Sequence, residues 1–221
     1  MSADAERLPA IACLNRASFR ASLVSTTGFH CEVWQVSGTL VRRAKKVPLD
    51  VVVKHHLESA AWGDIRVLQK EYSMLRRALG NVVPRAIFVH SLVDGSPNVL
   101  VVAKAVQPWF NLANPVNEAD AIPLLRRLPR ARKKLGRFVR AANRWYEEQG
   151  LVIDLYGLDN LVLDVDRKIR YVDSFRVFFY EDLLYALDEA GPELEERIRL
   201  SRRRLDYLRH LHEQATIRCI D

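Results

Sequence analysis

The chain has 221 residues, 49% of them apolar and 28% charged, with only 9 Gly and 9 Pro. That balance belongs to a globular protein able to bury a core, and it excludes a fibrous or wholly disordered chain. Lys and Arg number 34 against 27 Asp and Glu, a net charge of +7, which favours anionic partners without choosing among them.

No uninterrupted apolar run approaches the roughly 18 residues of a membrane span. The start, MSADAERLPAIACL, has an early acid and no basic flank before an apolar stretch, so no secretory signal is expected. Cys13, Cys31 and Cys219 are odd in number and far apart, with no CxxC or Cys/His cluster. Neither a disulfide frame nor a zinc site is supported, and a reducing, cytoplasmic compartment fits.

Residues 1–18 read as a leader of weak helical tendency. Phe19 to Val24 and Cys31 to Val36 alternate as strands around the turn Ser25-Thr26-Thr27-Gly28, and Val51-Val52-Val53 is a β-branched run ending at Lys54. Ser37 to Pro48, with Arg42, Arg43, Lys45 and Lys46, reads as a solvated hairpin extension. Leu68, Tyr72, Leu75 and Leu79 recur at helical spacing and predict a helix over 62–79, with Glu71 on its apolar stripe and Gly80-Asn81 as the stop. Val82 to Val89 and Asn98 to Val106 are strand-like runs joined by a turn at Asp94-Gly95.

From about 115 the period becomes helical. Residues 130–149 are the clearest helix, with Leu135, Phe138, Val139, Ala142, Trp145 and Tyr146 on one face and Gly150 as its end. Short apolar runs, Leu151 to Leu155 and Leu161 to Leu163, precede the polar turn Asp164 to Lys168 and a strand Ile169 to Val172. From about 180 the chain reads as helical, with Gly191-Pro192 as a break. The fold class is therefore α+β, with one domain over 1–221 and two lobes: a strand-rich N-lobe of about 19–106 and a helical C-lobe of about 115–221 carrying a small hairpin.

Four features line up in chain order. A turn containing Gly28 joins two strands, a third strand ends in Lys54, a helix presents Glu71, and a hairpin is bracketed by Asn160 and Asp173 in GLVIDLYGLDNLVLDVDRKIRYVDSF. A carboxylate on a buried helix face needs a partner, and Asn and Asp oxygens are hard ligands suited to Mg²⁺. This arrangement resembles the protein kinase-like superfamily, which includes aminoglycoside and choline kinases and small bacterial kinases, and the resemblance covers roughly residues 20–180. It implies a two-lobed kinase-like fold and an ATP- and Mg²⁺-dependent phosphotransferase. Lys54 would hold phosphates, Glu71 would orient Lys54, and Asn160 and Asp173 would hold the metal. Gly28 would lie in the nucleotide loop, with Ala103, Lys104 and Val106 lining the adenine.

Three departures qualify the resemblance. Where the family has a glycine-rich loop, Thr26 to Val33 keeps only Gly28. The family's base position, counted back from Asn160, falls on Leu155, with Asp154 one residue earlier; a one-residue insertion would bring Asp154 to the acceptor hydroxyl, so Asp154 is the expected base. Only 48 residues follow Asp173, and no Ala-Pro-Glu occurs among them, too few for a full protein-substrate platform. Compact kinases of this kind include secreted bacterial effectors as well as cytoplasmic enzymes. The phosphate acceptor, protein or small molecule, is unidentified.

Two other readings stand beside this one. A pseudokinase would keep the fold and act as a binding or scaffolding module. A basic nucleic-acid or membrane-surface binder would use residues 126–137, which hold Arg126, Arg127, Arg130, Arg132, Lys133, Lys134 and Arg137, extended by Arg202 to Arg204. The bland alternative for that run is a solvated helix face. His55-His56 read as structural or exposed, Cys31 as a small apolar strand residue, and Trp109-Phe110 as core between the lobes, with packing near an adenine as the other reading.

Overall fold

The computed structural model describes residues 20–25, 31–42, 45–57, 62–173, 176–182 and 192–217. They fall into two compact units, one of residues up to Lys70 with Arg85–Ala105, the other of Glu71–Pro84 with the residues from Val106 onward. Both units are built from antiparallel strands and helices, so the α+β class holds.

The first unit is a five-stranded sheet. Its strands are β1 (Arg20–Ser25), β2 (Cys31–Arg42), β3 (Lys45–His56), β4 (Ala86–Val93) and β5 (Ser96–Lys104), ordered β1-β2-β3-β5-β4. Alternation places Val36, Val53 and Leu100 in its core beside Val93. β2 and β3 pair over their whole length, from Cys31↔His56 to Arg42↔Lys45, so the predicted extension is a two-stranded ribbon. Asp94 and Gly95, both at positive φ (49° and 83°), form the β4–β5 turn. β4 starts at Ala86, later than the sequence suggests, because Gly80–Val82 is a 3₁₀ turn and Pro84 follows it. Cys31 and both histidines are buried. His55 Nε2 meets Glu32 Oε2 at 2.9 Å, and the Asn98 side chain closes on the backbone N–H and carbonyl of His56. These roles are structural, as the sequence suggests.

Helix α1 (Trp62–Leu79) gives Ile65 and Leu68 to the first unit's buried residues and Leu75 and Leu79 to the core of the second. The second unit adds α2 (Glu118–Arg127), α3 (Pro129–Gln149) and α4 (Pro192–Thr216). It also holds a sheet ordered β6-β8-β9 (Pro108–Asn111, Leu161–Asp164, Ile169–Tyr171) and a pair β10-β7 (Phe178–Tyr180, Leu151–Ile153). Leu125, Leu135, Phe138, Leu163, Tyr171, Leu208 and Leu211 are among its buried core. Gly150 ends α3 in the left-handed region at φ 63°, where a side chain is strained.

Strands β6 and β10 correct the sequence reading, which left the first in the joint between the lobes and the second in an unassigned stretch ahead of a helical tail. Each is three or four residues long and is held by its ladder to β8 or β7. No periodicity develops over so few residues.

The basic run divides by role. Arg126 and Arg132 donate to the carbonyls of Gln214 and Ala215 at the end of α4 (3.1 and 3.0 Å), where cations favour the negative end of the helix dipole. Arg202 to Arg204 do not simply extend that run: Arg202 pairs with Glu181 at 3.1 Å and lies over Tyr146, while Arg204 turns to the loop after β7.

Candidate active site

Strand β7 delivers the chain into residues 154–160, and the β8–β9 hairpin returns it to residues 172–173. Leu161 pairs with Tyr171, and the Val172 N–H donates to the Asn160 carbonyl at 2.9 Å. Asn160 and Asp173 therefore flank the same open end of one hairpin, as a strand–turn–strand separation requires.

Asp154 joins them there. Its N–H donates to the Val177 carbonyl at 2.8 Å. Its own carbonyl accepts from the Tyr171 hydroxyl at 2.8 Å and from the Asn160 amide at 3.2 Å. Its Oδ1 accepts from the Tyr156 N–H at 2.7 Å, an Asx turn that aims the carboxylate. Burial and the nearby Asp173 carboxylate push the Asp154 pKa up to about 7, against the weaker opposing pull of the Tyr156 N–H, Arg197 and Arg204. The neighbouring Leu155 is wholly buried. Asp154 is the carboxylate of this loop that stands beside Asp173.

Helix α4 holds the loop. The Leu155 N–H donates to Ser201 Oγ at 3.1 Å, and Arg204 Nη1 donates to the carbonyls of Leu155 (2.6 Å) and Tyr156. The Arg197 and Arg204 guanidiniums lie 5.2 and 5.9 Å from the Tyr156 ring. Tyr171, Ser201 and Arg204 were not legible as site residues. Tyr171 reads as one more apolar strand position, and the other two lie more than forty residues downstream on a helix of ordinary amphipathic pattern.

Gly157 has a steric role. A Cβ there would meet Asn160 Oδ1 at 2.5 Å and Asp159 Oδ1 at 3.1 Å. Gly157→Ala is expected to displace the Asn160 amide from the Asp154 carbonyl and to cost about 1 kcal/mol in a urea titration. Combined with Asn160→Ala it should cost less than the sum of the two, because both changes break one contact. Full additivity would refute the steric account.

The remaining predicted residues are distributed between the units. Glu71 is buried in the second unit and accepts from the Tyr180 hydroxyl at 2.8 Å. Burial and that bond to Glu71 hold the Tyr180 hydroxyl proton up to about 12. Lys54 belongs to the first unit, half-buried on β3 opposite Val33 and Val101. Ala103 and Lys104 close β5, and the Lys104 N–H donates to the Arg85 carbonyl at 3.1 Å. Val106 begins the return to the second unit. Gly28, placed by the sequence in the nucleotide loop, lies outside the described residues.

No family model matches the chain, and no curated protein matches it. Among the described residues, no group of three or more His, Cys, Asp and Glu side chains is arranged to hold a metal. The donor set at the hairpin's open end is of another kind, an amide oxygen with a carboxylate. It is small and hard, and it fits a Mg²⁺ ion that keeps several waters and takes phosphate oxygens. The crowding of Asp154 against Asp173 marks an excess of negative charge at the same place.

Proposed function

We propose that the chain is a two-lobed, kinase-like phosphotransferase that uses Mg·ATP. The observation that carries this reading is the convergence of Asp154, Asn160 and Asp173 on one end of the β8–β9 hairpin. Bound Mg·ATP would supply the phosphoryl group and neutralise the charge that develops on its oxygens. Asn160 and Asp173 would hold the metal. Lys54 binds the phosphates and Glu71 orients it, roles that the resemblance assigns and that suit a lysine at a strand end and a buried carboxylate. Asp154 accepts the proton of the acceptor hydroxyl, and a carboxylate that titrates near 7 is matched to that task. Tyr171 and Asn160 fix its main chain, so the carboxylate is positioned before substrate arrives.

The test is thermal unfolding with ATP, with and without Mg²⁺, of the native chain and of Asp173→Ala. A ligand that binds only the folded state adds about 2.7 kcal/mol at a hundredfold excess over its Kd. The expected result is a Mg²⁺-dependent rise in Tm that Asp173→Ala abolishes. An equal rise in both proteins would remove Asp173 from the site, and no rise at saturating Mg·ATP would overturn the proposal.

A further inference from the structure

Helix α3 carries a basic stripe on one face. Arg130, Lys133, Arg137, Arg140 and Arg144 recur at steps of three and four, all exposed, and no acidic residue occurs between Pro129 and Trp145. Residues at that spacing share one helix face, and like charges there cost the helix a few tenths of a kcal/mol per pair. The stripe runs for about 20 Å along the helix. The described ion pairs include one at its far end, Arg144 with Glu148 at 3.9 Å.

The basic surface continues onto the β8–β9 turn. Lys134, on the adjoining face of α3, has its ammonium pKa lowered by burial and then by Arg170 and Lys168, so cations from two elements crowd together. Asp164 and Asp166 pair with Arg170 and Lys168 and offset part of this charge. In the same turn the Arg167 guanidinium lies 3.0 Å above the Trp109 ring. Trp109 and Val165 stay 44% and 54% exposed, which sets an aromatic and an aliphatic side chain beside the cations. The hydrogen bond from the Val165 N–H to the Gln107 carbonyl (3.1 Å) ties the turn to the start of β6 and fixes this neighbourhood.

We infer that the α3 stripe and the β8–β9 turn, with Trp109 and Val165 at the edge, form a surface that docks on an anionic lipid bilayer. Basic side chains gain from the negative surface potential, and an exposed Trp with an aliphatic neighbour gains from the headgroup boundary. A nucleic acid uses the same cations but finds less here. One face of the Trp109 ring is already covered by Arg167, and Val165 has nothing to gain from a phosphate or a base edge. All of these residues lie in the second unit, and the inference stands independently of the phosphotransfer reading.

The test is co-sedimentation of the full chain with vesicles of phosphatidylcholine alone or mixed equally with phosphatidylglycerol, at low and high salt. A thymidine oligonucleotide and a short RNA duplex serve as parallel probes. Binding is expected only to the anionic vesicles, falling with salt, and Lys133→Glu with Arg140→Glu should weaken it by at least about tenfold. Trp emission should shift to the blue on anionic vesicles, a shift missing in Trp109→Phe, and Val165→Asp should weaken binding several-fold. Each variant replaces exposed side chains, and an unchanged Tm verifies its fold. Absent binding, equal binding to neutral vesicles, or indifference to the charge reversals would overturn the inference. Val165→Asp binding like the native chain would overturn the role of the turn. Salt-sensitive binding to the oligonucleotide or duplex without vesicle binding would make the surface a nucleic-acid face and refute the lipid assignment.

Discussion

Asp154→Asn should resist urea better than the native chain at about pH 8, and should lose that advantage at about pH 4. The folded chain holds the Asp154 proton up to about 7, against 3.8 for an ordinary aspartate. The folded state thus binds this proton more tightly than the unfolded state. The stability contributed by the protonated form is complete below the unfolded value and is lost as pH rises through the folded one. A displacement of about three pH units corresponds to at most about 4 kcal/mol. The buried asparagine amide gives back part of this through its own desolvation, so the gain for the variant is on the order of 2 kcal/mol. Asparagine keeps the oxygen that accepts the Tyr156 N–H and carries no charge into the site. If Asp154 is the base, the same variant should lose phosphoryl transfer by about a hundredfold or more. Urea midpoints across pH 4 to 8 decide the first point, and a variant no more stable at the alkaline end would disprove the burial argument.

The second large effect is expected at Arg204. One nitrogen of its guanidinium serves two successive carbonyls of the loop that carries Asp154. Hydrogen bonds from a charged donor contribute about 1.5–3 kcal/mol each. Arg204 is partly exposed, so Arg204→Ala should cost about 2 kcal/mol in all. Lysine retains the charge but its ammonium ends one atom short of the Nη1 position, so Arg204→Lys should recover less than half of that loss. Arg204 also favours the charged form of Asp154. Its removal should therefore cost less in the Asp154→Asn background than alone at alkaline pH. Equal costs in the two backgrounds would show that Arg204 and Asp154 are not coupled.

Much of this molecule could be read one segment at a time. The spacing of Leu68, Tyr72, Leu75 and Leu79 located α1, and the Asp94-Gly95 pair located a hairpin turn. The polar turn Asp164 to Lys168 between apolar runs marked the β8–β9 hairpin, and with it the closeness of Asn160 and Asp173. Strands β6 and β10 were not legible, because three or four residues define no period and their ladder partners lie tens of residues away. The Arg202 to Arg204 run misled for a similar reason. Three adjacent arginines on a helix point in three directions, and only packing decides which one turns toward the loop.

The amino-acid sequence by itself determined the α+β class, the main helices and hairpins, and the order of Lys54, Glu71, Asp154, Asn160 and Asp173 along the chain. Each of these is written in neighbouring residues, since backbone propensity and apolar period act over a few positions. Only the tertiary structure decided that Asp154 rather than Leu155 stands beside Asp173, that its proton is held up to about 7, and that α4 grips its loop through Ser201 and Arg204. Burial and Coulomb interaction depend on distance in space, and the groups that impose them on Asp154 come from a hairpin and a helix up to fifty residues further along the chain.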